Sequence, residues 1–175
     1  AGRGIGLAIA KALAVAGHRV LITDVDGDAA QRAAETVGRG AWGVAQDVRD
    51  VAGHQAVAAL ASEQGRLAVW VNNAGVSAPK PIDETTEEDF DNLVNVNFKA
   101  IFFGSIIAAK AMRKVGGGVI INTSSFTSLI PTAGKALYSA TKAAVDNLTR
   151  TLAGELAADN IRVVSVVPGY IQTEM

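Results

Sequence analysis

Five short runs of β-branched and other apolar residues, at 20–23, 41–45, 67–71, 119–122 and 162–167, recur along the chain with a helical stretch between each and the next. Strands buried on both faces read as continuous apolar runs, and joining them in parallel takes a long crossover, usually a helix. The order strand, helix, strand, helix therefore restricts the fold to α/β: a doubly wound parallel sheet with helices on both faces. No internal repeat, low-complexity tract or linker breaks the pattern, and 175 residues make one domain.

The helical stretches carry their own signals. Ile5, Ala8, Ile9, Ala12, Leu13 and Ala16 fall on one face of a first helix, and Gly17 can end it. Further helices are predicted over 28–37, 50–64, 86–113 and 138–158. Thr86 and Asp89 are spaced as a capping box for the third of these. Val145, Leu148, Leu152 and Leu156 form the core stripe of the last. Trp42, Trp70, Phe98, Phe102 and Phe103 read as core residues, and His18 and His54 as surface residues.

Composition removes several functions. A formal charge of −1 and only 5% aromatic residues argue against a nucleic-acid binder. The absence of cysteine excludes disulfides, thiolate metal sites and a cysteine nucleophile, and two histidines cannot build a metal cage, so no metal is expected. The longest apolar stretch, 100–109, is interrupted by Gly104 and Ser105 and bracketed by Lys99 and Lys110. A spanning helix needs about 20 apolar residues, so a buried helix, no membrane association and a cytoplasmic setting are expected.

Gly2, Gly4 and Gly6 precede the first helix. Glycines there let backbone N–H groups approach a pyrophosphate at the helix N-terminus, although a plain surface turn would also use them. Asp24 ends the next strand, eighteen residues after Gly6. That is the place of the carboxylate that holds the adenosine ribose hydroxyls and repels an added 2′-phosphate, favouring NAD over NADP. A helix cap is the alternative, with Asp26 and Asp28 nearby, and Arg3 could instead pair with a 2′-phosphate. The turn's geometry calls for a strand before Ala1. Residues 1–175 are accordingly expected to be one Rossmann-type domain, an internal fragment lacking its first strand and a C-terminal part.

Tyr138 and Lys142 lie one helical turn apart on one face, and Ser125 follows the fourth strand thirteen residues before Tyr138. A phenol ordinarily keeps its proton to about pH 10. An ammonium about 4 Å away contributes about 4 kcal/mol toward releasing it at an effective dielectric of about 20. Such a phenol exchanges a proton with an alcohol or carbonyl oxygen while a hydride moves to or from a nicotinamide, and a serine hydroxyl holds that oxygen. An ordinary amphipathic helix would also carry Y-x-x-x-K.

Taken together these elements resemble the short-chain dehydrogenase/reductase family along the whole chain. Its T-G-x-x-x-G-x-G motif aligns with residues 1–6 if Thr-Gly precedes Ala1, and Asp47-Val48, Asn72-Asn73-Ala74-Gly75, Asn97, Ser125, Tyr138, Lys142, Pro168-Gly169 and Thr173 match in order and spacing. The resemblance implies that Ser125, Tyr138 and Lys142 are catalytic. It implies that Asn97 binds a relay water; asparagine is a poor former in the middle of a helix, which favours a functional reason there. For the cofactor it implies Arg3, Gly4, Ile5 and Gly6 around the pyrophosphate, Asp24 on the ribose, and Asp47 and Val48 at the adenine. Asn73, Ala74 and Gly75 would line the ribose, Lys142 would hold the nicotinamide ribose beside Tyr138, and Pro168, Gly169, Ile171 and Thr173 would clasp the nicotinamide. Asp47 could otherwise cap the helix near Asp50, and Pro168-Gly169 could be a plain turn.

The expected activity is hydride transfer between NAD and a secondary alcohol or ketone. An NADP-dependent 3-oxoacyl-carrier-protein reductase is the rival enzyme, and a dinucleotide-binding sensor or scaffold the rival without chemistry. Residues 77–81 and 126–134 should shape the substrate pocket, with Ile130, Pro131 and Leu137 as an apolar wall. The Ala- and Gly-rich outer faces of the two long helices suit packing across a two-fold, so a homo-oligomer, tetramer or dimer, is expected.

Overall fold

The computed structural model describes residues 1–130 and 132–172. Strands form at each predicted run: β1 (Leu21–Asp24), β2 (Trp42–Ala45), β3 (Val69–Asn72), β4 (Gly118–Thr123) and β5 (Ile161–Val166). All pairings are parallel, with Leu21 opposite Trp42, Val69 opposite Val119, and Gly118 opposite Ile161. The strands group as two sheets, β1-β2 and β3-β4-β5, and β1 and β3 border a cleft between them.

The helices are α1 (Gly4–Val15), α2 (Gly27–Val37), α3 (Val51–Glu63), α4 (Glu87–Val94), α5 (Ala100–Arg113) and α6 (Ala136–Leu156). Caps set their ends. Asp26 accepts the N–H groups of Asp28 and Ala29 at the start of α2, and Asp50, not Asp47, caps α3 through Ala52 N–H. Thr86 and Asp89 form the reciprocal capping box at α4. Gly17, with φ of +93°, follows the end of α1. Asn160, with φ of +56°, turns the chain from α6 into β5, and the last helical residues, Ala157–Asp159, tighten into a 3₁₀ turn.

Residues 86–113 behave as one rod, with a difference inside it. Asn95–Lys99 are a π-helical turn between α4 and α5, an insertion that commonly marks a functional position. By length and apolarity alone the run Glu87–Arg113 could cross a membrane. Here 56% of its most apolar window is buried within the fold, as expected of a core helix.

Two apolar clusters hold the layers. One gathers Trp70, Ala108, Met112, Ile120 and Ile161 around β3-β4-β5; the other gathers Ile22, Ala30, Ala33 and Ala34 around β1. The alanines let α2 lie directly on the sheet, so closely that a side chain at Gly43 would collide with the Ala30 carbonyl. Trp70 is core as expected, but Trp42 is half-buried beneath the Arg19 guanidinium. Phe98 and Phe103 are half-buried and Phe102 is exposed; its ring is tilted against Phe98 and edge-on to Phe103. α5 is apolar nearly all round, so periodicity could not say which face turns inward. His54 is also corrected: it is buried at 3% exposure, whereas His18 is exposed.

Candidate active site

Parallel pairing brings the carboxyl ends of the strands to one edge, and the loops that leave them border a cavity of about 840 Å³ that continues between the facing edges of β1 and β3. Every expected site residue among those described lines it except Asn97. Arg3, Gly4, Ile5 and Gly6 come from the start of α1; Asp24, Asp47 and Val48 from the ends of β1 and β2; Asn73, Ala74 and Gly75 from the turn after β3. Ser125, Tyr138 and Lys142 face the same space, as do Pro168, Gly169 and Ile171. Thr173 lies outside the described residues, as does Pro131 of the apolar wall.

The glycine turn is shaped for close approach. Gly4 has φ of +57°, and a Cβ on Gly6 would stand 2.8 Å from Asn73 Nδ2. Asp24 is half-buried, and one oxygen of its carboxylate accepts Gly2 N–H at 2.8 Å. Burial disfavours its charged form, and hydrogen bonds from the backbone N–H groups of Gly2 and Asp26 favour it. Arg3 is exposed and forms no ion pair among the described residues. Asp47 is engaged by Arg49, whose Nε and guanidinium nitrogen reach its carboxylate at 3.0 and 2.6 Å.

At the other end, Lys142 is 2% exposed and donates to the Thr123 carbonyl at 2.9 Å. An ammonium has three donors, and this is its only hydrogen bond to the described protein. Burial pushes its pKa down to about 8, against the pull of Asp146 one turn further along α6. Its Nζ lies 5.7 Å from the centre of the Tyr138 ring. Ser125 begins the 3₁₀ turn Phe126–Ser128, where its Oγ accepts from Thr127 N–H at 3.3 Å and from the Thr127 hydroxyl at 3.1 Å. Those bonds occupy its lone pairs and leave its own proton to donate.

Asn97 stands behind the wall and is fully buried in the π turn. Its Oδ1 accepts Val76 N–H at 2.8 Å, and its Nδ2 donates to the Val76 carbonyl at 2.9 Å and to Thr141 Oγ1 at 3.3 Å. It thus clamps the turn after β3. Gly75 separates it from Lys142, for a Cβ there would lie 3.4 Å from both Asn97 Oδ1 and Lys142 Nζ. The sequence places Asn72 in the matching run but assigns it no role; it is buried and ties Trp70 Nε1 at 2.7 Å to Ser105 at 3.1 Å and Asn122 at 2.8 Å. Asparagine inside a strand was the available signal.

Residues 1–175 match the family described as short chain dehydrogenase. The chain is 40% identical to an uncharacterized oxidoreductase of Thermotoga maritima over 99% of its length and 70% of that protein. It is 36% identical to gluconate 5-dehydrogenase of Gluconobacter oxydans, over 100% of the chain and 70% of that enzyme. The crystal structure of 3-ketoacyl-(acyl-carrier-protein) reductase from Brucella melitensis, complexed with NADH, superimposes with a TM-score of 0.94 at 34% identity, covering 99% of this chain and 73% of that one. The fold and the match along its whole length place this chain in the short-chain dehydrogenase family. It is an NAD(P)-dependent oxidoreductase acting on CH–OH groups.

Proposed function

We propose that the protein interconverts a secondary alcohol and its ketone with NAD as the favoured cofactor, and that Tyr138 is the general acid/base. The observation that carries this reading is a buried Lys142 ammonium beside the Tyr138 ring, lining the cavity and making one hydrogen bond among the described residues. When bound, the nicotinamide supplies or accepts the hydride. The glycine turn fits such a dinucleotide, because Gly4 takes a φ of +57° that favours glycine and Gly6 lets the N-terminus of α1 pack directly against Asn73 at the cavity. Lys142 would hold the nicotinamide ribose and stabilise the Tyr138 phenolate. Ser125 would donate its proton to the substrate oxygen while Tyr138 exchanges a proton with it. A water on Asn97 would return that proton past Lys142 to solvent.

Asp24 supports NAD, since a carboxylate at the ribose disfavours a 2′-phosphate. A second reading, an NADP-dependent 3-oxoacyl-carrier-protein reductase, draws for its cofactor on the exposed Arg3, which has no ion pair among the described residues, and for its substrate on the likeness to the Brucella reductase, itself solved with NADH. Initial rates with NADH and NADPH on ketone and 3-oxoacyl substrates separate the two. Tyr138→Phe should lower kcat by about 10²–10⁴-fold while NADH still binds; turnover surviving the change refutes the mechanism. The exposed Phe102 and Phe90 on the outer helices support a homo-oligomer, and sedimentation as a monomer alone would reject it.

A further inference from the structure

His54 has no part in the chemistry above, yet it is among the most thoroughly bonded side chains near the cavity. It projects from α3, is 3% exposed, and its ring lies 6.2 Å from that of Trp70. Its Nδ1 is 3.0 Å from Gln46 Nε2, and its Nε2 is 2.8 Å from the Val48 carbonyl oxygen. The amide nitrogen can only donate and the carbonyl can only accept. Nδ1 therefore accepts and Nε2–H donates, which only the neutral ring can do. Burial pushes the pKa of His54 down, in keeping with that state, with Val48 and Asp50 pulling the other way.

The bond to Val48 has a particular target. The peptide unit between Val48 and Arg49 is held at both ends: its carbonyl by His54, its N–H by Asp47 Oδ1 at 2.9 Å. Two residues before Val48, Gln46 N–H donates to the Asp24 carbonyl at 2.7 Å, joining this turn to the strand that presents the ribose carboxylate. We infer that His54, which itself borders the cavity, is a positioning residue for the adenine end of the cofactor, fixing the 46–49 turn so that Asp47 and Val48 face the cleft. The inference rests on the cofactor reading above and extends it to a residue outside the cavity's chemistry.

The test uses the full-length protein with three probes: NADH, ADP-ribose, which lacks the nicotinamide, and reduced nicotinamide mononucleotide, which lacks the adenosine. His54→Phe keeps an aromatic ring against Trp70 and removes both hydrogen bonds. It should raise the KM for NADH and the inhibition constant of ADP-ribose about tenfold, as expected for a lost buried hydrogen bond. It should keep kcat within about twofold and leave kcat/KM for the mononucleotide unchanged. His54→Gln, whose amide can reach the Val48 carbonyl, should recover most of the loss. If His54→Phe does not fold, Gln46→Met is measured in its place, with a loss of about threefold expected because one bond of the pair remains. Unchanged NADH affinity in the variant measured, or a parallel fall with the mononucleotide, overturns the role of His54. A wild-type protein that binds neither NADH nor NADPH overturns the cofactor reading, and this inference with it.

Discussion

Lys142 gives the sharpest quantitative test, because its burial has a thermodynamic signature independent of catalysis. In the cofactor-free protein burial lowers its pKa from 10.5 to about 8. At about 1.36 kcal/mol for each pH unit, this displacement corresponds to about 3 kcal/mol. The sign follows from which state loses the proton first. The folded state releases it near pH 8, the unfolded chain only near 10.5. Between those values the unfolded chain binds more protons, so stability rises with pH. Below about pH 8 both states are protonated and the full cost of the buried cation is present. Urea unfolding of wild type and Lys142→Met, compared at pH 7, 8, 9 and 10 without cofactor, isolates this term because the other titrations cancel. Wild type should gain on the variant by about 2–3 kcal/mol between pH 7 and pH 10. Parallel stability curves would show that Lys142 is well solvated and would remove its restrained ammonium from the mechanism.

Asp24→Ser removes the carboxylate proposed to face the ribose and should shift the ratio of kcat/KM for NADPH over NADH upward by about tenfold or more, read from initial rates. Asn72→Ala strands Trp70 Nε1 and Asn122 in the core and should cost about 2–4 kcal/mol in urea unfolding; two of its three bonds join β3 to β4 and α5, and the third lies within β3.

The strands were legible because burial on both faces demands uninterrupted apolar runs. Tyr138 and Lys142 were legible because a helical turn fixes their relation. Other features had no such local rule. His54 lies on an alanine-rich helix, and its partner Gln46 stands eight residues back across a loop, a spacing no periodicity predicts. Asp47 could equally have capped α3; only the fold shows Asp50 in that place and Arg49 on Asp47. The π turn around Asn97 was also invisible, since one widened turn leaves the apolar pattern on either side intact.

The turn after β3 explains why binding and chemistry share one edge. Asn72, inside the sheet, anchors its start through Asn122 and Ser105. Asn73 meets Gly6 so closely that a methyl group there would displace it, which ties the turn to the glycine segment of α1. Gly75 leaves space between Asn97 and Lys142, and Asn97 grips both polar groups of Val76. Thr141, beside Lys142 on α6, accepts the remaining Asn97 donor. The segment 72–76 therefore touches the glycine turn of α1 at one end and α6, which carries Tyr138 and Lys142, at the other. Because packed interiors leave little slack, moving this segment must disturb both, and neither half of the site can be repositioned alone.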